Sequence, residues 1–302
     1  MPTVALPTID LPAADRALRK AELWLGRRLD GVGPGHHRSI RLGEGIELAD
    51  IREYVPGDDV RAIDWNATAR TGRPHVRVYD ADRDTSALVV VDRSASMAFG
   101  TAGRTKEGLA RELVAALSVL VLRRGDRLAG LLYSDRRLST VRASSGRRAA
   151  LRLLHEVGET VPEEGRGSRL DRALEEAYRI AKRRSLVVIV SDWLDAGEWA
   201  MPLHRLSSRH EVIAAEIRDP REDELPAVGT LVLEDPETGR QLEVDTANPK
   251  IRDAFSAAAA AQRARIASEI GGTGASHLVV STERDWLSDL LRYLERRRRR
   301  RR

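Results

Sequence analysis

Asp92, Ser94 and Ser96 alternate along the six residues Asp-Arg-Ser-Ala-Ser-Met, directly after the run Leu-Val-Val-Val. A carboxylate and two hydroxyls at alternate positions of one loop are hard oxygen donors. They suit Mg2+, or another hard divalent cation such as Mn2+ or Ca2+, rather than zinc. Two more oxygen donors occupy matching places. Ser168 follows Gly165-Arg166-Gly167 and precedes a helical pattern, and Asp192 follows Leu-Val-Val-Ile-Val-Ser. Each has a structural alternative: Ser168 can cap its helix, Asp192 can be a turn residue after a strand, and the oxygens of 92–96 can bond their own loop. The conjunction favours the metal, because all five come in order, each at the end of an element.

Other chemistries lack their residues. A phosphohydrolase of the haloacid-dehalogenase type would use Asp92 as nucleophile with Mg2+, but it needs a second aspartate two positions later, where Ser94 stands. The stretch from Asp92 to Phe99 has no Gly-x-Ser-x-Gly elbow. Neither phosphate-binding glycine fingerprint occurs, so nucleotide binding has no support. The chain has no cysteine, which excludes disulfides and thiolate chemistry and suits a reducing compartment. No catalytic residue is expected.

The elements that must position these donors read as an α/β fold. Leu88 to Val91, Leu128 to Tyr133, Leu186 to Val190, Val212 to Ile217 and Leu278 to Val280 are short apolar runs of strand character. Several lack polar alternation, as expected of strands covered on both faces. Between them lie helical stripes, Leu109-Leu113-Leu117-Leu120-Val121 ahead of Gly125, and Leu170-Ala173-Leu174-Ala177. A hairpin is expected from Thr230 to Asp245 around Asp235-Pro236-Glu237-Thr238-Gly239, then an alanine-rich helix over 250–270. Such alternation predicts a doubly wound, mainly parallel sheet with helices on both sides, whose ligands bind at the carboxyl ends of strands. An amphipathic helix over 13–29, with Leu18, Ala21, Leu25 and Leu29 near one stripe, precedes all of this.

Net charge is +5 over 302 residues, but Arg296 to Arg302 are seven consecutive arginines, so the rest of the chain is slightly acidic. Basic charge confined to one tail argues against a specific nucleic-acid face and leaves room for a weak contact with an anionic surface. No apolar run reaches the ~18 residues of a membrane helix, and the first twenty residues lack a secretory pattern. The expectation is a cytoplasmic protein.

The segment ahead of the first strand is dense in motifs: Gly43-Glu44-Gly45-Ile46-Glu47, Arg52-Glu53-Tyr54, Gly57-Asp58-Asp59, Arg61-Ala62-Ile63-Asp64-Trp65 and Ala69-Arg70. Asp58, Asp59 and Asp64 could form a second metal site or nuclease-like cluster. The simpler reading is structural, with Arg52, Arg61 and Arg70 pairing with these acids to pin the segment to the sheet domain. Piece by piece these motifs resemble the "domain of unknown function 58" family, and the Asp-x-Ser-x-Ser loop resembles the metal-ion-dependent adhesion site (MIDAS) of von Willebrand factor A domains. That resemblance implies a von Willebrand factor A-like fold with Asp92, Ser94, Ser96, Ser168 and Asp192 as metal positions. The hydroxyls would bind directly and the aspartates partly through water. Ser168 stands where most relatives have threonine. It makes Arg52, Tyr54, Gly57, Asp58, Arg61, Asp64, Trp65 and Arg70 a structural motif. It also implies a protein-binding role beside a MoxR-type AAA+ ATPase or a protein client. The expected organisation is residues 1–84 as helix plus motif segment packing on the sheet domain, 85–292 as the sheet domain, and 293–302 as a basic tail.

Overall fold

The computed structural model describes residues 15–23, 50–55, 63–78, 86–122, 126–134, 137–159, 168–195, 197–234 and 239–300, with backbone alone at 50–52, 77–78, 86 and 298–300. Two compact units result, one of residues 1–42 with 86–302 and one of residues 43–85. This division differs from the expected boundary at residue 84. The helix α1, residues 15–23, buries Leu18 and Ala21 in the core of the sheet unit. It is held there by Lys20 to Glu112 at 2.7 Å and by Arg147 to Asp15 at 2.7 Å.

The smaller unit is described on its own. Its strand β1 (Asp50–Glu53) is followed by helix α2 (Trp65–Thr71) and strand β2 (His75–Val78), which pairs antiparallel with β1. Asp64 starts α2 as its N-cap, accepting from the backbone N–H groups of Asn66 at 2.9 Å and Ala67 at 3.0 Å. Gly72 ends the helix in the left-handed region at φ 71°.

The larger unit is built on β3 (Ser86–Asp92), α3 (Lys106–Leu122), β4 (Arg127–Tyr133), β5 (Leu138–Ser144), α4 (Arg147–Gly158), α5 (Leu170–Ile180), β6 (Leu186–Ser191), α6 (Ala200–Arg209), β7 (Glu211–Arg218), the hairpin β8 (Thr230–Glu234) and β9 (Gln241–Asp245), α7 (Pro249–Gly272), β10 (Ser276–Ser281) and α8 (Trp286–Arg300). Six strands form one sheet in the order β10-β7-β6-β3-β4-β5, all parallel except β5, which returns antiparallel along β4. The doubly wound, mainly parallel α/β fold is therefore what the chain adopts. Alternate strand residues feed two cores. Val89, Val91 and Val188 face α1, α3, α4 and α8, while Leu88, Val90 and Ile189 face α5, α6 and α7. Period-two burial on both sides is what removes polar alternation from β3 and β6. The tail expected from 293 is not separate in backbone structure, since α8 runs on to Arg300 and buries Tyr293 and Leu294.

From β3 the chain crosses to β4 over α3 on one face. From β6 it crosses to β7 over α6 on the other. The loops leaving these two adjacent strands therefore diverge, opening a crevice at their carboxyl ends, the switch point where such sheets bind ligands. Asp92 ends β3 and Asp192 directly follows β6.

The β3 loop is tightly folded before α3. A Cβ on Gly100 would lie 2.3 Å from the Arg104 carbonyl oxygen and 2.4 Å from the Thr105 Cα, both backbone atoms that cannot rotate away. Gly100→Ala is expected to cost about 1–3 kcal/mol. Gly271→Ala, in α7 with open space around it, should be neutral or stabilise by up to about 1 kcal/mol. Urea midpoints of the two variants against wild type check both.

Candidate metal centre

Asp92 is buried, and each of its oxygens is held. Oδ1 accepts from the Ser94 N–H at 2.8 Å, and Oδ2 accepts from the Tyr133 hydroxyl at 2.9 Å and the Ser191 hydroxyl at 2.7 Å. The Trp193 N–H donates to Ser191 Oγ at 3.0 Å, which leaves that hydroxyl's proton for Asp92. Ser94 Oγ and Ser96 Oγ lie 3.1 Å apart on the short 3-10 turn that follows β3. Across the crevice, Asp192 Oδ1 accepts from the Leu194 N–H at 3.1 Å and Oδ2 from Lys106 Nζ at 2.7 Å. Between these two aspartates stands Ser191, bonded to one and adjacent in sequence to the other.

Ser168 stands at the start of α5, on the third loop. It does not cap that helix. The Asp195 carboxylate, from the loop after β6, takes the Leu170 N–H at 2.8 Å and ties the two loops together. Ser168 Oγ is buried and has no hydrogen-bond partner among the described residues. Such a hydroxyl costs free energy unless something completes it. The glycine-rich stretch before it, 165–167, lies outside the described residues.

Burial pushes the Asp92 carboxyl up to about 6, with the charge of Asp192 adding to it and the hydrogen bonds from Ser191 and Ser94 opposing it. Burial and the Asp92 charge likewise raise the Tyr133 phenol, so it stays a donor. Lys106 is 0% exposed and bridges Asp192 to Glu222. Burial alone would lower its pKa, but the charges of Asp192 and Glu222 outweigh that and raise it, so the amine is an ammonium. Behind it, Arg263 Nη1 donates to the Asp192 carbonyl at 3.2 Å and to Glu216 at 3.1 Å, and Nη2 donates to Glu222 at 2.8 Å. Glu216 is fully buried and also accepts from Arg218, at 2.8 and 2.9 Å, and pairs with His277 Nε2 at 2.8 Å. Trp193, at φ 59°, occupies the left-handed region, a conformation uncommon outside glycine, asparagine and aspartate. Its ring is buried and its Nε1–H donates to the Ala215 carbonyl at 3.2 Å, which locks the backbone beside Asp192.

Asp92, Ser94, Ser96 and Asp192 are thus gathered at one sheet edge, with Ser168 on the loop tied to it. Lys106, Tyr133, Ser191, Asp195 and Glu222 were not singled out from sequence. Ser191 stood in plain view beside Asp192, but a lysine opening a helix carries no signal of burial. In the smaller unit Asp64 serves as a helix cap, Arg70 Nε donates to the Asn66 carbonyl at 3.3 Å and Trp65 is exposed. The Tyr54 N–H bonds the Pro74 carbonyl at 2.8 Å and Arg52 pairs with Val76 in the ladder. Gly57, Asp58, Asp59 and Arg61 lie outside the described residues.

The donor set fits a hard cation. Among the described residues no group of three or more His, Cys, Asp or Glu side chains is placed to hold a metal, so a cation here depends on hydroxyls. Ser94, Ser96 and Ser168 offer them, Ser168 without a partner among the described residues. The four carboxylate oxygens of Asp92 and Asp192 are each already engaged by a donor, which suits contact through water.

A stability profile follows. A carboxyl raised from its ordinary value to about 6 in the folded state binds more protons folded than unfolded at pH 4 to 6. Its contribution is therefore lost as pH rises through that window. Metal-free wild type is expected to lose on the order of 2 kcal/mol through this group between pH 4 and 7. Asp92→Asn should flatten the profile. Urea unfolding in chelator across that range measures it; parallel profiles would contradict the assignment.

Residues 50–265 match the family described as "Protein of unknown function DUF58". An uncharacterized protein of Mycobacterium tuberculosis strain H37Rv is 42% identical over 302 residues, covering 99% of this chain and 94% of that protein. One of Mycobacterium avium is 42% identical over 164 residues, covering 54% and 96%. Among solved structures, the conserved hypothetical protein BatB from Bacteroides thetaiotaomicron aligns with TM-score 0.48 and 14% identity, over 72% of this chain and 99% of that one. The SpRpn10 VWA domain aligns with TM-score 0.40 and 12% identity, over 68% and 93%. Among the described residues no helix is long and apolar enough to cross a membrane. With the match spanning most of the sheet unit and much of the motif segment, the chain belongs to the DUF58 family.

Proposed function

We propose that this protein is a metal-dependent protein-binding module rather than an enzyme, holding Mg2+ or another hard divalent cation at Ser94, Ser96 and Ser168 with Asp92 and Asp192 as outer partners. The observation that carries this is the buried hydroxyl of Ser168, without a partner among the described residues, on the loop tied to the crevice where two other hydroxyls and two held carboxylates meet. A divalent ion with an open position would supply a charge that a partner's Asp or Glu completes. The chain's own residues do the rest. Tyr133 and Ser191 fix Asp92, the Leu194 N–H orients Asp192, and Phe99, 41% exposed at the end of the metal loop, offers an apolar contact beside the site. Asp92 supports this reading over a phosphohydrolase, since the donors on both its oxygens oppose nucleophilic attack.

The family resemblance supports a MoxR-type AAA+ ATPase as the partner, with this protein positioning a client for it. The arginine tail is outside this role.

Two measurements test the proposal. For a site with Kd of about 0.1 mM, ~1 mM free Mg2+ stabilises by about 1.4 kcal/mol, so Mg2+ should raise the melting temperature of wild type and not of Asp92→Ala. Equal responses would sink the metal assignment. Binding to a MoxR-type AAA+ ATPase should weaken at least about tenfold in EDTA or with Ser96→Ala, a loss of about 1.4 kcal/mol. Truncation of Arg296 to Arg302 should change it little. A complex that forms equally well in EDTA removes the metal from that contact.

A further inference from the structure

Lys106 is in the wrong place for an ordinary lysine. It is the first residue of α3, where the positive end of the helix dipole disfavours a cation, and it is 0% exposed, where a long charged side chain is rarely found. Its Nζ donates to Asp192 Oδ2 at 2.7 Å and to Glu222 Oε1. The backbone around it is fixed as well, because the Lys106 N–H bonds the Phe99 carbonyl at 2.8 Å at the end of the Ser94–Ser96 turn. One residue therefore links the loop bearing the hydroxyls to the carboxylate on the opposite side of the crevice.

We propose that Lys106 is a resident cation that competes with the divalent metal for Asp192, so that the site exchanges an internal ammonium for an external ion. The inference rests on the metal-binding reading above and names its regulation. The ammonium neutralises Asp192 when no metal is present and keeps two neighbouring carboxylates from repelling each other apart. An arriving divalent ion meets that positive charge, and its affinity falls accordingly.

Release of Asp192 does not strand the lysine, because Glu222 remains its partner. Glu222 is itself held: Oε2 accepts from Arg263 Nη2 at 2.8 Å and from the Asp219 N–H at 3.1 Å. Asp219 in turn accepts from the Thr101 hydroxyl at 2.6 Å and the Thr282 hydroxyl at 2.7 Å. The second resting place of the ammonium is thus anchored to the β3 loop and to the end of β10. A buried lysine with two carboxylates and one competitor can switch between sharing and single pairing without losing all compensation.

The test is Mn2+ titration calorimetry on the full chain, with thermal melts in chelator, for wild type, Lys106→Met and Lys106→Met/Glu222→Gln. The double variant removes one charge of each sign, so the net charge around Asp192 stays that of wild type. Expected are Mn2+ affinities at least about tenfold tighter in Lys106→Met and tighter than wild type in the double variant. Lys106→Met should melt lower than wild type in chelator, and saturating Mn2+ should recover more stability for it than for wild type. A Lys106→Met protein that folds only with Mn2+ also supports exchange. If wild type binds Mn2+ and the double variant binds it equally or more weakly, competition by Lys106 is overturned while the metal site stands. If wild type and both variants show no Mn2+ binding at millimolar concentration, the metal reading falls and takes this inference with it.

Discussion

Two carboxylates at the ends of adjacent buried strands, with one buried ammonium on their flank, set the terms for the rest of this protein. Burial and the nearby charge of Asp192 raise the Asp92 carboxyl, and the chain answers with donors. Tyr133, Ser191 and the Ser94 N–H converge on Asp92, while Lys106 and the Leu194 N–H take Asp192. The Tyr133 donor comes from β4, Ser191 from β6 and Lys106 from α3, so the sheet order fixes the polarity of the crevice. The cluster of Glu216, Arg218, Arg263, His277 and Glu222 continues the same compensation toward β7 and β10. A charge pair of this kind contributes little net stability; it specifies position.

Much of this was legible in the chain. Apolar runs without alternation gave β3, β6 and β7, because covered faces leave no polar position to mark, and the hairpin at β8 and β9 followed its turn residues. The positions of Asp92 and Asp192 were legible because each stands at the end of a strand. Less visible was β5, whose Leu-Ser-Thr-Val-Arg-Ala-Ser pattern is that of a half-covered edge strand. The arginine-rich α4 hides Leu153 and Leu154 among charges, although both are buried. Sequence spacing pairs Ser168 with its own helix as a cap, whereas Asp195 from another loop does that job. Long-range substitution of a local role is what single-sequence reasoning cannot register. The burial of Lys106 belongs to the same class.

The small unit shows the opposite balance. Its motif residues were read as structural, and described ones take local places. Asp64 caps α2 and Gly72 closes it; Arg52 and Tyr54 take part in or next to the β1–β2 ladder. A dense polar motif can encode a helix cap as readily as chemistry. The acids at 58 and 59 are not part of that account.

The discontinuity of the sheet unit has a consequence for synthesis. Residues 15–23 belong to the core, but their anchoring partners lie far along the chain: Lys20 and Glu112 are separated by 92 residues, and Asp15 and Arg147 by 132. Between them the ribosome must deliver the whole of residues 43–85, a unit with its own internal contacts. During translation, therefore, the first helix emerges with Leu18 and Ala21 uncovered and stays so until α3 and α4 have followed. Closing such a loop is a late, entropically expensive step. Until then its apolar face is open to any chaperone that meets the growing chain.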